Sequence, residues 1–496
     1  MTGALNLEIY RTRLEEFEQN LNRELYRFYS GRKTRLEVHS VYSDYSDLFS
    51  IDSIQEVKSE LKDPAESLTA RRKSCRKIAG FLTDQHLDHR TAQLTQEIEH
   101  FEAEQTVPWE GGEIPLSRVP AILREESGAT KRCRLHELSA RAGLGSELKL
   151  ERFARMRTAA DELGFTGYRE AREWISEINY RQLLDSLDGV LTKLQDRYTE
   201  QFRVSVESAL GIPFEQAGCW DIPYWLNKND ERRIFTETAL IPVVKTTIEE
   251  FGIQPERSDS VAQDTDRRPG KDSRPFCIPI RIPHEIKVVL LPESGFRQFA
   301  ALLHESGHAC HFAWTSASLP VEHRIWGDRA LTESYGFLLE YLIRNPRWLM
   351  RMFSFKNPGN FLRFQPLYRM YLIRRHAAGL CFALRLHDGQ NLDNMSEVYA
   401  ETMRSYTGLQ YCPESWLNEL ANGFESADYV RGWILECMLR EHLRSKYGSD
   451  WFMNRSAAGF LKEIWETGQL YRADELCREI GFRELDPQIL AEELKQ

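Results

Sequence analysis

Apolar residues recur at three- and four-residue steps from the start of the chain. Tyr10, Leu14, Phe17, Leu21, Leu25 and Phe28 share one helical face, charged residues fill the positions between them, and Gly31 ends the run. Similar spacing predicts helix around 57–61, over 71–101 and 148–163, and over 169–200, after a turn at Gly164-Phe165-Thr166-Gly167-Tyr168. Residues 105–117, with Pro108, Gly111, Gly112 and Pro115, read as irregular. Residues 254–273 are polar and turn-rich and read as a mobile surface loop. Two β-prone runs follow, 276–282 and 286–291; Pro283 and His284 between them predict a hairpin, and Pro279 marks the first run as an edge or irregular strand. A helix then begins near Ser294 with an apolar flank of Phe296, Phe299, Leu302 and Leu303, and beyond Leu331 helical patterning continues almost to the end. No fixed-period repeat is present.

Composition narrows the class. At 496 residues the chain has room for two or three domains, or one large enzyme of two lobes. With 42% hydrophobic and 28% charged residues it has a globular balance. The formal net charge of −10 argues against a general nucleic-acid partner. The strongest basic run, Arg71-Arg72-Lys73-Ser74-Cys75-Arg76-Lys77, reads as the solvated face of a helix, because no nucleic-acid fold signature surrounds it. Nine scattered cysteines without a CxxC pair point to a reduced compartment. No signal peptide and no apolar stretch of about 18 residues is found, so a soluble cytoplasmic protein without a membrane partner is expected.

The candidate chemistry lies on the helix after the hairpin, at His304-Glu305-Ser306-Gly307-His308-Ala309-Cys310-His311. The first five residues fit H-E-x-x-H. One helical turn separates His304 from His308, so both imidazoles face the same side and can grip one zinc ion, with Glu305 beside them as a base. A third ligand has to come from elsewhere: Glu333, 25 residues past His308, is the first candidate, with Glu322 and Glu340 as competitors, and Thr332 before it is a capping-type residue. His311 returns to nearly the same face, either orienting a ligand or lying buried against a backbone carbonyl. Cys310 points the other way and reads as core. Gly307 either admits a neighbouring segment or is simply tolerated in the helix.

This octapeptide resembles the H-E-x-G-H-x-x-H signature of the thimet oligopeptidase and oligopeptidase F family of zinc metallopeptidases, which are gluzincins. Glu333 falls where that family's glutamate ligand falls, and the 164–168 turn is similar to a GF-x-x-Y turn of some members. The resemblance implies a mainly α, two-lobed, zincin-like (neurolysin-like) fold with a deep channel and a small β-sheet beside the active-site helix. It implies one Zn2+ per chain, held by His304, His308 and Glu333, and short peptide substrates hydrolysed with Glu305 as the base. A helical N-terminal lobe over 1–200 and a catalytic lobe over 201–496 would be the domains. The family stabilises the oxyanion with tyrosines of a C-terminal segment; residues 423–431 are similar to it, Tyr429 is the match, Arg431 is an alternative donor, and Tyr411 is a further candidate. The carboxypeptidase Taq family also carries H-E-S-G-H and gives the alternative of trimming from the carboxyl end, with Arg431 as the carboxylate clamp, although its H-E-S-Q segment is replaced here by Leu331-Thr332-Glu333-Ser334-Tyr335. A metal-stabilised helical binding protein without catalysis is the third reading.

Overall fold

The computed structural model describes residues 6–62, 70–143, 145–257, 259–389 and 391–495. Helix α1 (Leu7–Tyr29) is capped by the Asn6 side chain, which accepts from the Glu8 amide, and it buries Tyr10, Leu14 and Phe17 as its periodicity requires. Helix α2 (Ala70–Glu104) runs beside it. The strands are β1 (Thr106–Trp109), β2 (Gly112–Pro115), β3 (Val261–Asp264), β4 (Phe276–Arg281) and β5 (Glu285–Val289). Four later helices build the site: α3 (Phe296–Trp314), α4 (Arg329–Glu340), α5 (Gly359–Asp388) and α6 (Glu425–Tyr447). Shorter helices fill the intervals, as the pattern predicts.

Three expectations from the sequence are corrected. The stretch 105–117 is not irregular: β1 and β2 pair antiparallel, with Trp109 opposite Gly112. Glu110 and Gly111 both adopt positive φ, the twist that a two-residue hairpin turn demands, and Pro108 and Gly112 had hidden the strands. Nor is 254–273 only a surface loop. It supplies β3, which pairs parallel with β5 in a sheet ordered β3-β5-β4. Asp264 at its end is buried and accepts from Tyr26, Arg32, Arg268 and Lys271. Burial opposes its ionisation, but these donors outweigh burial and hold the carboxyl well below the usual carboxylate range. The basic run at the start of α2 is not a solvated face. Arg71 pairs with Glu60 at 2.8 Å, Arg76 donates to the Trp174 carbonyl, and Lys77 donates to the carbonyls of Trp326 and Gln469, so the run ties helices together. The hairpin of β4 and β5 stands where it was expected, with Pro279 on an edge strand.

The larger core draws side chains from Phe153 to Leu494, and a smaller one lies beneath α1 and α2, from Leu7 to Ala171 with Val321 and Trp326 added. The segment between α3 and α4 is pinned by α1. Glu322, 0% exposed, receives the Arg11 guanidinium at 3.0 Å, and Arg324 reaches Glu15 at 2.9 Å. The same helix holds β4, where Asn22 donates to the Pro279 carbonyl at 3.0 Å. Among the described residues no helix is long and apolar enough to cross a membrane.

Candidate active site

Helix α3 starts at Gly295, whose φ of 119° sets the chain's entry, and the Phe296 amide bonds the Asp230 carbonyl at 3.0 Å. From Ser306 to His311 every residue is buried, so the helix is enclosed rather than amphipathic at this point. Glycines make the enclosure possible. A Cβ on Gly307 would collide with the Tyr335 carbonyl; one on Gly336 would stand 2.8 Å from the His304 ring; one on Gly432 would stand 2.7 Å from the Glu333 Cβ. The backbones of α3, α4 and α6 thus pack closer than side chains would allow.

Close packing of α3 on α4 brings the ligand candidates together. The Nε2 atoms of His304 and His308 are 3.0 Å apart, and Glu333 Oε2 and Oε1 lie 3.3 and 4.0 Å from them respectively. One donor atom from each of the three residues falls within a 4.8 Å cluster. Ligand atoms at about 2.0–2.1 Å from a tetrahedral zinc stand roughly 3.3 Å from one another, so the spacing fits such an ion. The donor chemistry fits too. Glu333 Oε2 is buried and finds no hydrogen-bonding partner. Both histidines have their Nδ1 occupied, His304 by Glu340 Oε2 at 3.1 Å and His308 by the Thr332 hydroxyl at 2.9 Å. With Nδ1–H donating in each ring, two Nε2 lone pairs and a carboxylate converge on one point, which calls for a cation. The same field acts on protons. Burial works against a charged His304, yet Glu333 and Glu340 more than reverse it and set its pKa well above the ordinary value, whereas burial presses His308 down to about 3.

The competitors for the third ligand lie elsewhere. Glu322 is bound to Arg11, and Glu340 sits on the outer side of the His304 ring. Thr332 is not a cap: Asp328 caps α4 by accepting from the Ala330 amide, and Thr332 lies within the first turn. Its hydroxyl joins His308 Nδ1 to His311 Nδ1, the latter at 3.2 Å, while His311 Nε2 meets the Gly468 carbonyl at 3.2 Å. These partners assign the protons: His308 donates to Thr332, Thr332 to His311, and His311 to the backbone. His311 is thus buried against a backbone carbonyl and linked through Thr332 to His308. Cys310 is buried in the core, and Gly307 admits α4.

A cavity of about 300 Å³ opens beside this cluster. His304, Glu305 and Glu340 line it together with Phe337, His376, Tyr429 and Trp433. Burial, reinforced by Glu333 and Glu340 against the opposing His304, raises the Glu305 carboxyl to about 7. Tyr429 is 36% exposed, and burial followed by the charge of Glu333 raises its pKa, so the phenol keeps its proton. The His376 ring packs 4.9 Å from that of Tyr429 and is held neutral, down to about 3, by burial and by Arg375. Arg431 is not in the cavity wall: both Nη atoms bond Asp328 at 2.7 Å, behind the first turn of α4, which removes it as an oxyanion donor or carboxylate clamp. Tyr411 is buried against Tyr399, away from the cavity.

Sequence reasoning missed Thr332, Glu340 and His376 in these positions. Glu340 had a signal, since it follows Glu333 by seven residues and so shares its helical face. His376 had none, because it arrives from α5, over fifty residues before Tyr429.

No family model and no curated protein matches the sequence. Among solved structures the chain is similar to a protein assigned as an oligoendopeptidase F from Bacillus anthracis, with a TM-score of 0.69 and 14% identity over 97% of this chain and 88% of that one. It is similar to PZ peptidase A with an inhibitor at 0.72 and 14%, over 99% and 94% of the chains. A second oligoendopeptidase F structure gives 0.67 and 14%, over 98% and 85%. At this identity the likeness is one of fold, and the chain has the mainly α, zincin-like fold of those structures.

Proposed function

We propose that this protein is a metal-dependent peptidase that hydrolyses bonds within short peptides, with one zinc ion per chain held by His304, His308 and Glu333. The convergence of those three side chains within 4.8 Å, beside Glu305 and an open cavity, carries the reading. The names of the structural neighbours, oligoendopeptidase F and PZ peptidase, support it. A zinc ion bound there would supply a Lewis acid for the scissile carbonyl and bring the pKa of a water toward neutrality. Glu305 takes the proton from the attacking water and delivers it to the leaving amine nitrogen. Glu340 and Thr332 hold the imidazoles so that each presents Nε2. Tyr429, protonated and facing the cavity, donates to the oxygen of the tetrahedral adduct, with the neutral His376 at its side.

The reading includes two lobes, a helical one over 1–200 and a catalytic one over 201–496, with a channel that admits only short peptides; the separate core beneath α1 and α2 supports it. It also includes a cytoplasmic setting, supported by nine scattered cysteines without a CxxC pair. The test is Glu305→Gln. It should keep one zinc per chain by elemental analysis and lose turnover of a quenched fluorescent peptide by orders of magnitude. Wild-type turnover by this variant would end the mechanism.

A further inference from the structure

The cavity does not end at His304. Along α5 it is lined from His376 to Arg369 and Gln365, and Arg344 lines it as well. Arg369 lies seven residues before His376, about 10 Å along the helix, and Gln365 lies one further turn away on the same face. These polar groups are buried but incompletely paired. Gln365 is 4% exposed and its Nε2 has no hydrogen-bonding partner; Arg369 is 6% exposed and its Nε has none. The ions behind them do not balance. Glu436 takes Arg369 at 2.8 Å and Arg440 at 2.6 Å, while Glu493 takes Arg440 at 3.0 Å and Arg344 only at 3.8 Å. Three guanidinium groups thus share two carboxylates, and two of the three, Arg344 and Arg369, line the cavity. A buried charge without a counter-ion is strongly unfavourable, and planar guanidinium forks match a carboxylate.

We infer that this part of the cavity is a subsite for a carboxylate of the substrate peptide, bound by Arg344, Arg369 and the Gln365 amide. The inference rests on the peptidase reading above and names the substrate class: peptides with a negative charge at a fixed distance from the scissile bond. An extended chain advances about 3.3–3.6 Å per residue, so about 10 Å corresponds to two to three residues between the bond cut and the anion. Glu340, which also lines the cavity, is already engaged with His304 Nδ1 at 3.1 Å. The anion is a carboxylate from one of two sources, the peptide's own carboxyl terminus or an acidic side chain.

The test is calorimetric, on the full-length Glu305→Gln variant, which binds without cutting. The probes are an N-acetylated Ala-Ala-Phe-Ala-Ala-Ala free acid, its carboxamide, and carboxamides with one glutamate at each of the last three positions. The free acid, or one of the glutamate amides, should bind at least about tenfold more tightly than the plain amide; which one does so identifies the source. Gln365→Leu and Arg344→Gln, each added separately, should shrink that ratio below about threefold. Arg369 is left intact because its guanidinium also holds Glu436, at 2.8 Å. Binding of all probes within twofold of one another would overturn the subsite, as would an unchanged ratio in both added variants. Hydrolysis of the same peptides by the zinc-loaded wild type is scored separately. A charge preference without hydrolysis would sink the peptidase reading and keep the subsite; hydrolysis without a preference would do the reverse.

Discussion

Thr332→Val removes one oxygen and keeps the shape of the side chain. In the wild type that oxygen accepts from His308 Nδ1 at 2.9 Å and donates to His311 Nδ1 at 3.2 Å. The variant leaves two buried ring nitrogens facing a methyl group. Each unsatisfied buried polar group costs about 1–3 kcal/mol. Only the loss at His308 bears on the metal, because that bond fixes which nitrogen the ring presents. Removing such a support typically weakens metal binding by roughly 10–100-fold, which is about 1.4–2.8 kcal/mol and agrees with the hydrogen-bond figure. In the zinc-free protein both losses act on folding and should appear together as about 2–6 kcal/mol of stability in a urea titration. Zinc affinity is measured by competition with a chromophoric chelator, and Thr332→Ser serves as the conservative variant that returns the hydroxyl. The argument fails if Thr332→Val binds zinc within twofold of the wild type, or if Thr332→Ser is as impaired as the valine.

Further outcomes follow from the packing and the buried charges. Gly336→Ala should displace the His304 ring and weaken zinc binding by tenfold or more in the same chelator assay, whereas Gly459→Ala, where a Cβ meets nothing within 4 Å, should stabilise the helix by about 0.5–1 kcal/mol in urea. His387 is packed against Phe153, Tyr168 and Phe424, neither of its ring nitrogens has a partner, and burial followed by Arg157 and Arg172 holds its pKa down to about 3. Its unfolded value is about 6.5, so its contribution is fully present above that pH and is lost as the pH falls toward 3, by about 1.4 kcal/mol per unit. His387→Phe should flatten the fall in urea midpoint between pH 6 and 4 by that amount; an unchanged slope would contradict it. Arg11→Met should lower stability by about 3 kcal/mol, read from the thermal midpoint, because it leaves Glu322 charged and enclosed.

What the chain disclosed in advance tracks the range of the interactions involved. Helices came from local periodicity, and α1, α2 and α3 lie close to where spacing put them. The pair His304 and His308 was legible because one helical turn joins them. Glu333 could be narrowed by spacing but not chosen over Glu340, since both lie on one face of α4 and only the tilt of α3 against it decides which carboxylate meets Nε2 and which meets Nδ1. Arg431 misled for the same reason. Its neighbour Tyr429 faces the cavity, and two residues further on the helix has turned to Asp328. Strand β3 stayed hidden because its stability comes from β5 and from the cations around Asp264, none of which leaves a period in four residues.

The bond between Arg11 and Glu322 determines where the molecule is free to flex. The loop that joins the helices of His308 and Glu333 is anchored to the first helix of the chain by a carboxylate with no access to water. Pulling that helix away would expose an ion pair and tilt the spacer between His308 and Glu333 together. Any opening motion has to hinge along other seams, because α1 ties the smaller core to the spacer between α3 and α4.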